Sequence, residues 1–196
     1  MNTTTSPEIP LLRGPVALSH MMLRQFVRPG DMVVDATCGN GNDTLLLAEL
    51  VEATGRVWAF DIQKEAIDQT AKRLADAGHD EQVELVHAGH ETMAQHVVTG
   101  LSAVVFNLGH LPCGDRTVIT RTETTLSACQ QALNLLKPGG ILAVTAYPGH
   151  EGGDNERLAV DAWAADHDPR VFHTWRMGQM NVPDTAPYFI MIQKAI

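Results

Sequence analysis

Two closely spaced glycines follow a carboxylate in the segment VVDATCGNGNDT, Val33 to Thr44. An apolar run ends in Asp35, Gly39 and Gly41 make a turn, and a helix-like segment follows. Glycines let the backbone pass close to a ligand, and a helix N-terminus offers free N–H groups to an anion. A dinucleotide site would ask for a third glycine, but Thr44 stands at that place. A second apolar run ends in Asp61. An acid at that point can accept hydrogen bonds from both hydroxyls of a ribose. The plainer alternative is that Asp61 caps the helix after it.

The D-x-x-x-G-x-G arrangement resembles the first motif of S-adenosylmethionine-dependent methyltransferases. That resemblance implies a ligand with an amino-acid end. The loop N–H groups would then suit its carboxylate, and Asp35 its ammonium group, directly or through water. Thr37, Gly39, Asn40, Gly41, Asn42, Asp43 and Thr44 form the rest of the expected cofactor loop. Asp61 would hold the ribose, with Ile62 and Gln63 bordering the adenine. His90 and Glu91 follow the third strand, and His90 stands where many methyltransferases place Asp or Asn near the adenine amino group.

The segment VVFNLGHLPCGD delivers Asn107 to the end of an apolar run and follows it with Gly109, His110, Pro112, Cys113, Gly114 and Asp115. In a doubly wound sheet, ligands bind outside the carboxyl ends of the strands. Asn107 is therefore expected at the reactive end of the cofactor. Methyl transfer is an in-line displacement, and an amine acceptor must present a free lone pair. The Asn107 side-chain carbonyl and the Leu108 backbone carbonyl can accept the amine hydrogens, so that catalysis is mainly proximity and orientation. Gly109, His110, Pro112 and Asp115 are the expected substrate contacts of this loop.

A second loop, YPGHEGGDNE, follows the fifth apolar strand. Tyr147, Pro148 and Gly149 would wall a substrate pocket. His150 can take a proton from an amine, because its ordinary pKa lies near neutrality. Glu151 and Glu156 would attract a cationic amine. Alternatively the segment is a simple loop in which Asp154 or Asn155 caps the next helix. His87, His90, His110 and His150 lie near strand ends, but no ligand spacing typical of a metal centre is present, and no metal is expected.

The elements that must position these residues alternate. Helical spacing marks residues 16–27, 43–51, 63–78, 119–137 and 155–167, with KPGG at 137–140 ending the fourth. On the third helix Ile67, Ala71 and Leu74 share one face; on the fourth, Leu126, Cys129, Leu133 and Leu136 do. Strands are expected at residues 32–39, 55–62, 83–89, 103–109, 141–149, 170–177 and 187–195, the last two as an antiparallel pair. Strands apolar on both faces, alternating with helices, point to a mostly parallel seven-stranded α/β sheet covered on both sides. Residues 1–15 read as an arm and 16–196 as one methyltransferase domain.

The 196 residues are 44% hydrophobic and 19% charged, a globular composition. No apolar stretch reaches the roughly 18 residues that span a bilayer, and no signal peptide is evident, so a cytoplasmic location is expected. Three cysteines, Cys38, Cys113 and Cys129, suit a reducing compartment. A net charge of −9 works against a nucleic-acid substrate unless basic residues are gathered on one face.

DATCGNGNDTLLLA, FNLGHLPCGD, TLSACQQALNLLKPGG and YPGHEGGDNE together resemble the small bacterial methyltransferases formerly called rRNA methylases and now associated with tRNA wobble-uridine modification. The resemblance runs from about residue 16 to the C-terminus. It implies N-methylation of the aminomethyl group of 5-aminomethyl-2-thiouridine, giving 5-methylaminomethyl-2-thiouridine. The implied cofactor is S-adenosyl-L-methionine, and the implied partner is the anticodon region of tRNA. Asn107, Leu108 and His150 are the implied catalytic groups. Where the family has Tyr and Gly, this chain has His110 and Cys113, and Ala186-Pro187 replaces a Pro-Pro pair. Arg13, Arg24, Arg116 and Arg121 would have to gather around the pocket, or a homodimer would join two weaker patches. The alternatives are a methyltransferase of a small-molecule or protein amine, which the acidic charge favours, and a non-catalytic nucleotide-binding module. An NAD-linked oxidoreductase is disfavoured by Thr44.

Overall fold

The computed structural model describes residues 12–109, 120–148 and 153–196. Helix α1 (Pro15–Phe26) leads into β1 (Met32–Asp35), α2 (Asn42–Val51), β2 (Arg56–Asp61), α3 (Lys64–Ala77) and β3 (Val83–His87). A 3₁₀ turn (His90–Gln95) precedes β4 (Leu101–Leu108), α4 (Thr122–Leu135), β5 (Leu136–Ala146), α5 (Gly153–Ala165), β6 (Phe172–Met177) and β7 (Tyr188–Lys194). The seven strands lie in the order β3-β2-β1-β4-β5-β7-β6. β1 to β5 run parallel, and β7 is antiparallel to both β5 and β6. This is the mostly parallel, doubly wound sheet expected from the alternation of strands and helices.

Alternate side chains of each strand enter opposite cores, as a period of two requires. Val34, Val104, Phe106, Leu142 and Val144 join Leu133 and Val160 on the α4 and α5 side. Val33, Ala103, Val105, Ile141 and Ala143 join Leu23, Leu47 and Phe189 on the α1 and α2 side. Continuing the parity, Asp35 and Asn107 belong to the α1 and α2 side. The strand order reverses between β1 and β4, so both residues stand at the topological switch point, where this class of sheet opens a crevice for ligands.

Two elements differ from expectation. α4 is shorter than residues 119–137, and KPGG is not its terminator but an excursion inside β5. Leu136 already pairs with Leu101, and the next registered pair is Ala103 with Ile141. Pro138 has no N–H for a ladder and Gly139 sits at φ 82°, so the segment bulges out and the strand resumes after it. Leu136, placed on the helix face by spacing, is therefore extended. On α3, Thr70 is buried beside Ala66, Ile67 and Leu74, and Ala71 is only partly covered.

Candidate functional site

The glycine loop is stitched down from behind. Gly41 N–H donates to the Cys38 carbonyl at 2.7 Å, and Thr70 Oγ1 donates to the Gly39 carbonyl at 3.0 Å. Arg73 Nε donates to the Asn40 carbonyl at 2.8 Å. Three successive carbonyls are thus turned toward the protein. The α2 N-terminus follows at once, with Gly41 in a left-handed conformation and no side-chain cap. Its first N–H groups are left for an anion.

Asp35 is fully buried beneath this loop. Its Oδ2 accepts from Thr44 Oγ1 at 2.6 Å and its Oδ1 from the Thr37 N–H at 3.2 Å. Burial, and next the nearby Asp43 carboxylate, push its pKa up to about 7. At the end of β2, half-buried Asp61 accepts the Gly39 N–H at 3.0 Å and the Gln63 N–H at 2.9 Å, one on each oxygen. A carboxylate has about four acceptor positions, so both oxygens retain capacity for a diol. Ile62 is exposed beside it, and Gln63 begins the turn into α3.

His90 is almost wholly buried, with its ring edge-to-face on Phe106 at 5.4 Å. Burial, the leading cause, lowers its pKa and favours the neutral ring. Its Nε2 is a buried polar atom with no hydrogen-bond partner. Such an atom is costly unless a ligand completes it. Glu91, partly buried, folds its carboxylate back over Gly89, where a Cβ would collide with it. Open N–H groups at the α2 N-terminus, a carboxylate with spare acceptor positions and a neutral ring nitrogen are groups able to hold an anion, a diol and an amino group.

Asn107 is the penultimate residue of β4, its N–H donating to Thr37 Oγ1 at 2.7 Å. Its Nδ2 donates to Asp43 Oδ2 at 2.7 Å. Asp43, buried in the first turn of α2, also meets His20 Nε2 from α1 at 2.6 Å through Oδ1. Leu108 follows, buried, and pairs with Ala146. Half-buried Tyr147 comes after β5, its phenol pKa raised by burial and by Asp43; Pro148 beside it is buried.

Gly109 and Thr120 close on each other: the Thr120 N–H donates to the Gly109 carbonyl and the Gly109 N–H to Thr120 Oγ1, both at 3.0 Å. Buried Glu156 receives the hydroxyls of Thr120 and Thr125, each at 2.7 Å. Its two oxygens are engaged there rather than presented openly to a cation. His110, Pro112, Cys113, Gly114, Asp115, Gly149, His150 and Glu151 lie outside the described residues. Among the described residues no group of three or more His, Cys, Asp or Glu is placed to hold a metal ion. None of their helices is long and apolar enough to cross a membrane.

Sequence reasoning missed His20, Thr70 and Arg73. Thr70 left one signal, a hydroxyl at a core-facing position of an amphipathic helix. His20 left none, since the same helical segment also carries the polar Ser19, Arg24 and Gln25.

Residues 57–193 match the family described as "Putative rRNA methylase". A chloroplastic Arabidopsis thaliana protein named tRNA (mnm(5)s(2)U34)-methyltransferase is 41% identical over 187 residues, covering 90% of this chain and 68% of that one. A crystal structure from Clostridium thermocellum carrying the rRNA-methylase description is 41% identical, with a TM-score of 0.91 over 94% of this chain and 99% of that one. A Streptococcus mutans protein described as a methyltransferase and solved in complex with SAH is 36% identical, with a TM-score of 0.86 over 94% and 99%.

Proposed function

The chain belongs to the rRNA methylase family, and on that premise we propose that it N-methylates the aminomethyl group of 5-aminomethyl-2-thiouridine at the wobble position of tRNA. It is an S-adenosyl-L-methionine-dependent methyltransferase of the class I, Rossmann-like fold. The product in this reading is 5-methylaminomethyl-2-thiouridine. The name and 41% identity of the Arabidopsis relative support the substrate.

When bound, S-adenosyl-L-methionine supplies an electrophilic methyl group on a sulfonium. The open N–H groups at the start of α2, Asn42 to Thr44, would hold its carboxylate end, and buried Asp35 braces the Gly39–Gly41 loop beneath the ammonium through Thr37 and Thr44. Asp61 takes the ribose hydroxyls, Ile62 and Gln63 border the adenine, and His90 Nε2 accepts from the adenine amino group. The acceptor is an alkyl amine, largely protonated in water. It must lose a proton and turn its lone pair toward the methyl group. Asn107 orients it, with the Leu108 carbonyl beside it and His150 as the proton acceptor. In this reading the substrate contacts are Tyr147 and Pro148 together with Gly109, His110, Pro112, Asp115 and Gly149.

The observation that carries this reading is the direction of the Asn107 amide. Asp43 is an acceptor, so the amide turns its NH₂ toward it and leaves Oδ1 as an acceptor on the other side. A carbonyl there suits an N–H nucleophile. The RNA contact falls to exposed arginines: Arg121 borders Thr120, and Arg24 lies one turn from His20 on α1. Two copies of the chain would double that patch. A second reading, a small-molecule or protein amine as acceptor, is favoured by the net charge of −9.

The test is methyl transfer to tRNA carrying the unmethylated aminomethyl uridine, read by nucleoside mass spectrometry. The expected result is gain of one methyl on that nucleoside, lost in Asn107→Ala while cofactor affinity stays nearly intact. Cofactor binding without any gain on the nucleoside would move the acceptor to the small-molecule or protein class.

A further inference from the structure

We propose that His20 is a positioning residue for the acceptor amine, acting through Asp43 on the Asn107 amide; the proposal rests on the reading that Asn107 orients the acceptor. Three elements distant in sequence meet here. His20 comes from the middle of α1, Asp43 from the first turn of α2, and Asn107 from the end of β4. Asp43 Oδ1 meets His20 Nε2 at 2.6 Å, and Asp43 Oδ2 takes Asn107 Nδ2 at 2.7 Å.

An amide side chain has two orientations that differ by exchanging its oxygen and nitrogen. Asp43 selects one of them, because a carboxylate only accepts. That selection is as firm as the carboxylate itself. With both oxygens engaged, Asp43 cannot rotate without breaking a short bond. Without His20 it keeps the Asn107 contact alone and its plane is free to turn. The Asn107 backbone is held independently by Thr37, so loss of His20 loosens the amide without moving the strand. Nε2 must carry a hydrogen to meet the carboxylate, which assigns His20 the donor role.

The His20 side chain is 30% exposed while that of Asp43 is 9% exposed. The ring is therefore the outer member of the chain, reachable by a small molecule from solvent. Among the described hydrogen bonds His20 meets the cofactor loop at the Asp43 side chain alone and makes none with the Gly39–Gly41 turn or with Asp61. Its effect should fall on orientation of the acceptor rather than on cofactor affinity.

The experiment compares the full-length protein with His20→Ala and His20→Gln. The first readout uses no substrate: the Asn107 side-chain NH₂ resonances of the ¹⁵N-labelled protein without cofactor. They should shift and broaden in His20→Ala and return toward the parent in His20→Gln, whose amide can supply an N–H to Asp43. Unchanged Asn107 resonances in a folded His20→Ala protein would overturn the proposal whatever the substrate proves to be. The second readout is transfer kinetics. In His20→Ala, kcat should fall about tenfold to a hundredfold, the scale on which small misplacement acts. KM for the acceptor and affinity for S-adenosyl-L-methionine should stay within about twofold, the remainder of the site being intact. Added imidazole should restore part of the rate. Restoration by imidazole but not by Gln would overturn positioning in favour of proton transfer. A loss of cofactor affinity equal to the loss in kcat would overturn it in favour of a structural role. If His20→Ala does not fold, His20→Gln still decides: near-parent kcat and Asn107 resonances support the proposal, and their loss opposes it. Failure of the functional reading shows elsewhere, as absence of transfer by the parent protein.

Discussion

Asp61 Oδ2 accepts the Gly39 N–H at 3.0 Å, so the acid at the end of β2 also shapes the glycine loop after β1. One side chain thereby touches two parts of the proposed cofactor site. Asp61→Asn keeps the size but has a single carbonyl for the two N–H groups of Gly39 and Gln63. A lost hydrogen bond to a charged group costs about 1.5–3 kcal/mol. Affinity for S-adenosyl-L-methionine should fall at least about tenfold, and further in Asp61→Ala, as read by titration calorimetry. Unchanged affinity in both variants would remove Asp61 from the site.

Gly41 should not tolerate alanine. Its φ is 76°, and an added Cβ would meet Thr70 Oγ1 at 2.8 Å and Thr70 Cα at 3.0 Å. The hydroxyl can swing away, but the α3 backbone cannot. A left-handed non-glycine residue costs roughly 1–3 kcal/mol before the clash is counted. Gly41→Ala should lower the melting temperature by several degrees and weaken cofactor binding. Gly78→Ala, also left-handed at φ 73° but facing open space, should lower the melting temperature without touching binding.

Glu156 holds Thr120 and Thr125 from α5 while Thr120 holds Gly109, so removing its carboxylate loosens the closure between β4 and α4. Glu156→Ala should cost about 1–3 kcal/mol through unsatisfied buried hydroxyls. In a chain of this length that is about 2–4 °C of melting temperature per kcal/mol. Glu156→Gln should recover most of it, since a threonine hydroxyl both donates and accepts. Equal melting temperatures for the two variants would show that the hydroxyl bonds contribute nothing.

Asp35 gives the stability a pH dependence of definite sign. Its carboxyl is raised to about 7 in the fold by burial and by Asp43, against about 3.9 when unfolded. Below about pH 4 both states hold the proton, and the stabilising contribution is complete. As pH rises toward 7 the unfolded chain releases the proton and the folded one keeps it, so stability falls. Urea midpoints of the cofactor-free protein should decline between about pH 4 and 7 more steeply than those of Asp35→Asn. Parallel curves would show that Asp35 ionises in the fold as it does in water.

Much of the site follows from near neighbours in the chain. An alternation of two decides which core a strand residue enters, so Val33 with Asp35, and Val105 with Asn107, share a face before any packing is known. The turn at Gly39 and Gly41 is local in the same way. The misread KPGG is local chemistry too: proline and glycine announce a break, but not whether the break ends a helix or bulges a strand that has already begun. Leu136 pairing with Leu101 decides that, and it depends on β4 lying alongside.

The sequence by itself therefore determined the strands, their buried faces, the glycine loop and the strand ends that carry Asp35, Asp61 and Asn107. Each of these is set by stereochemistry within a few residues. Tertiary structure alone decided that Thr70 and Arg73 turn the loop carbonyls inward, that Glu156 closes on Thr120, and that His20 meets Asp43 beside Asn107. Those contacts depend on how far each helix is rotated about its axis as it packs on the sheet. That rotation is chosen by the whole apolar face at once, and no short run of residues encodes it.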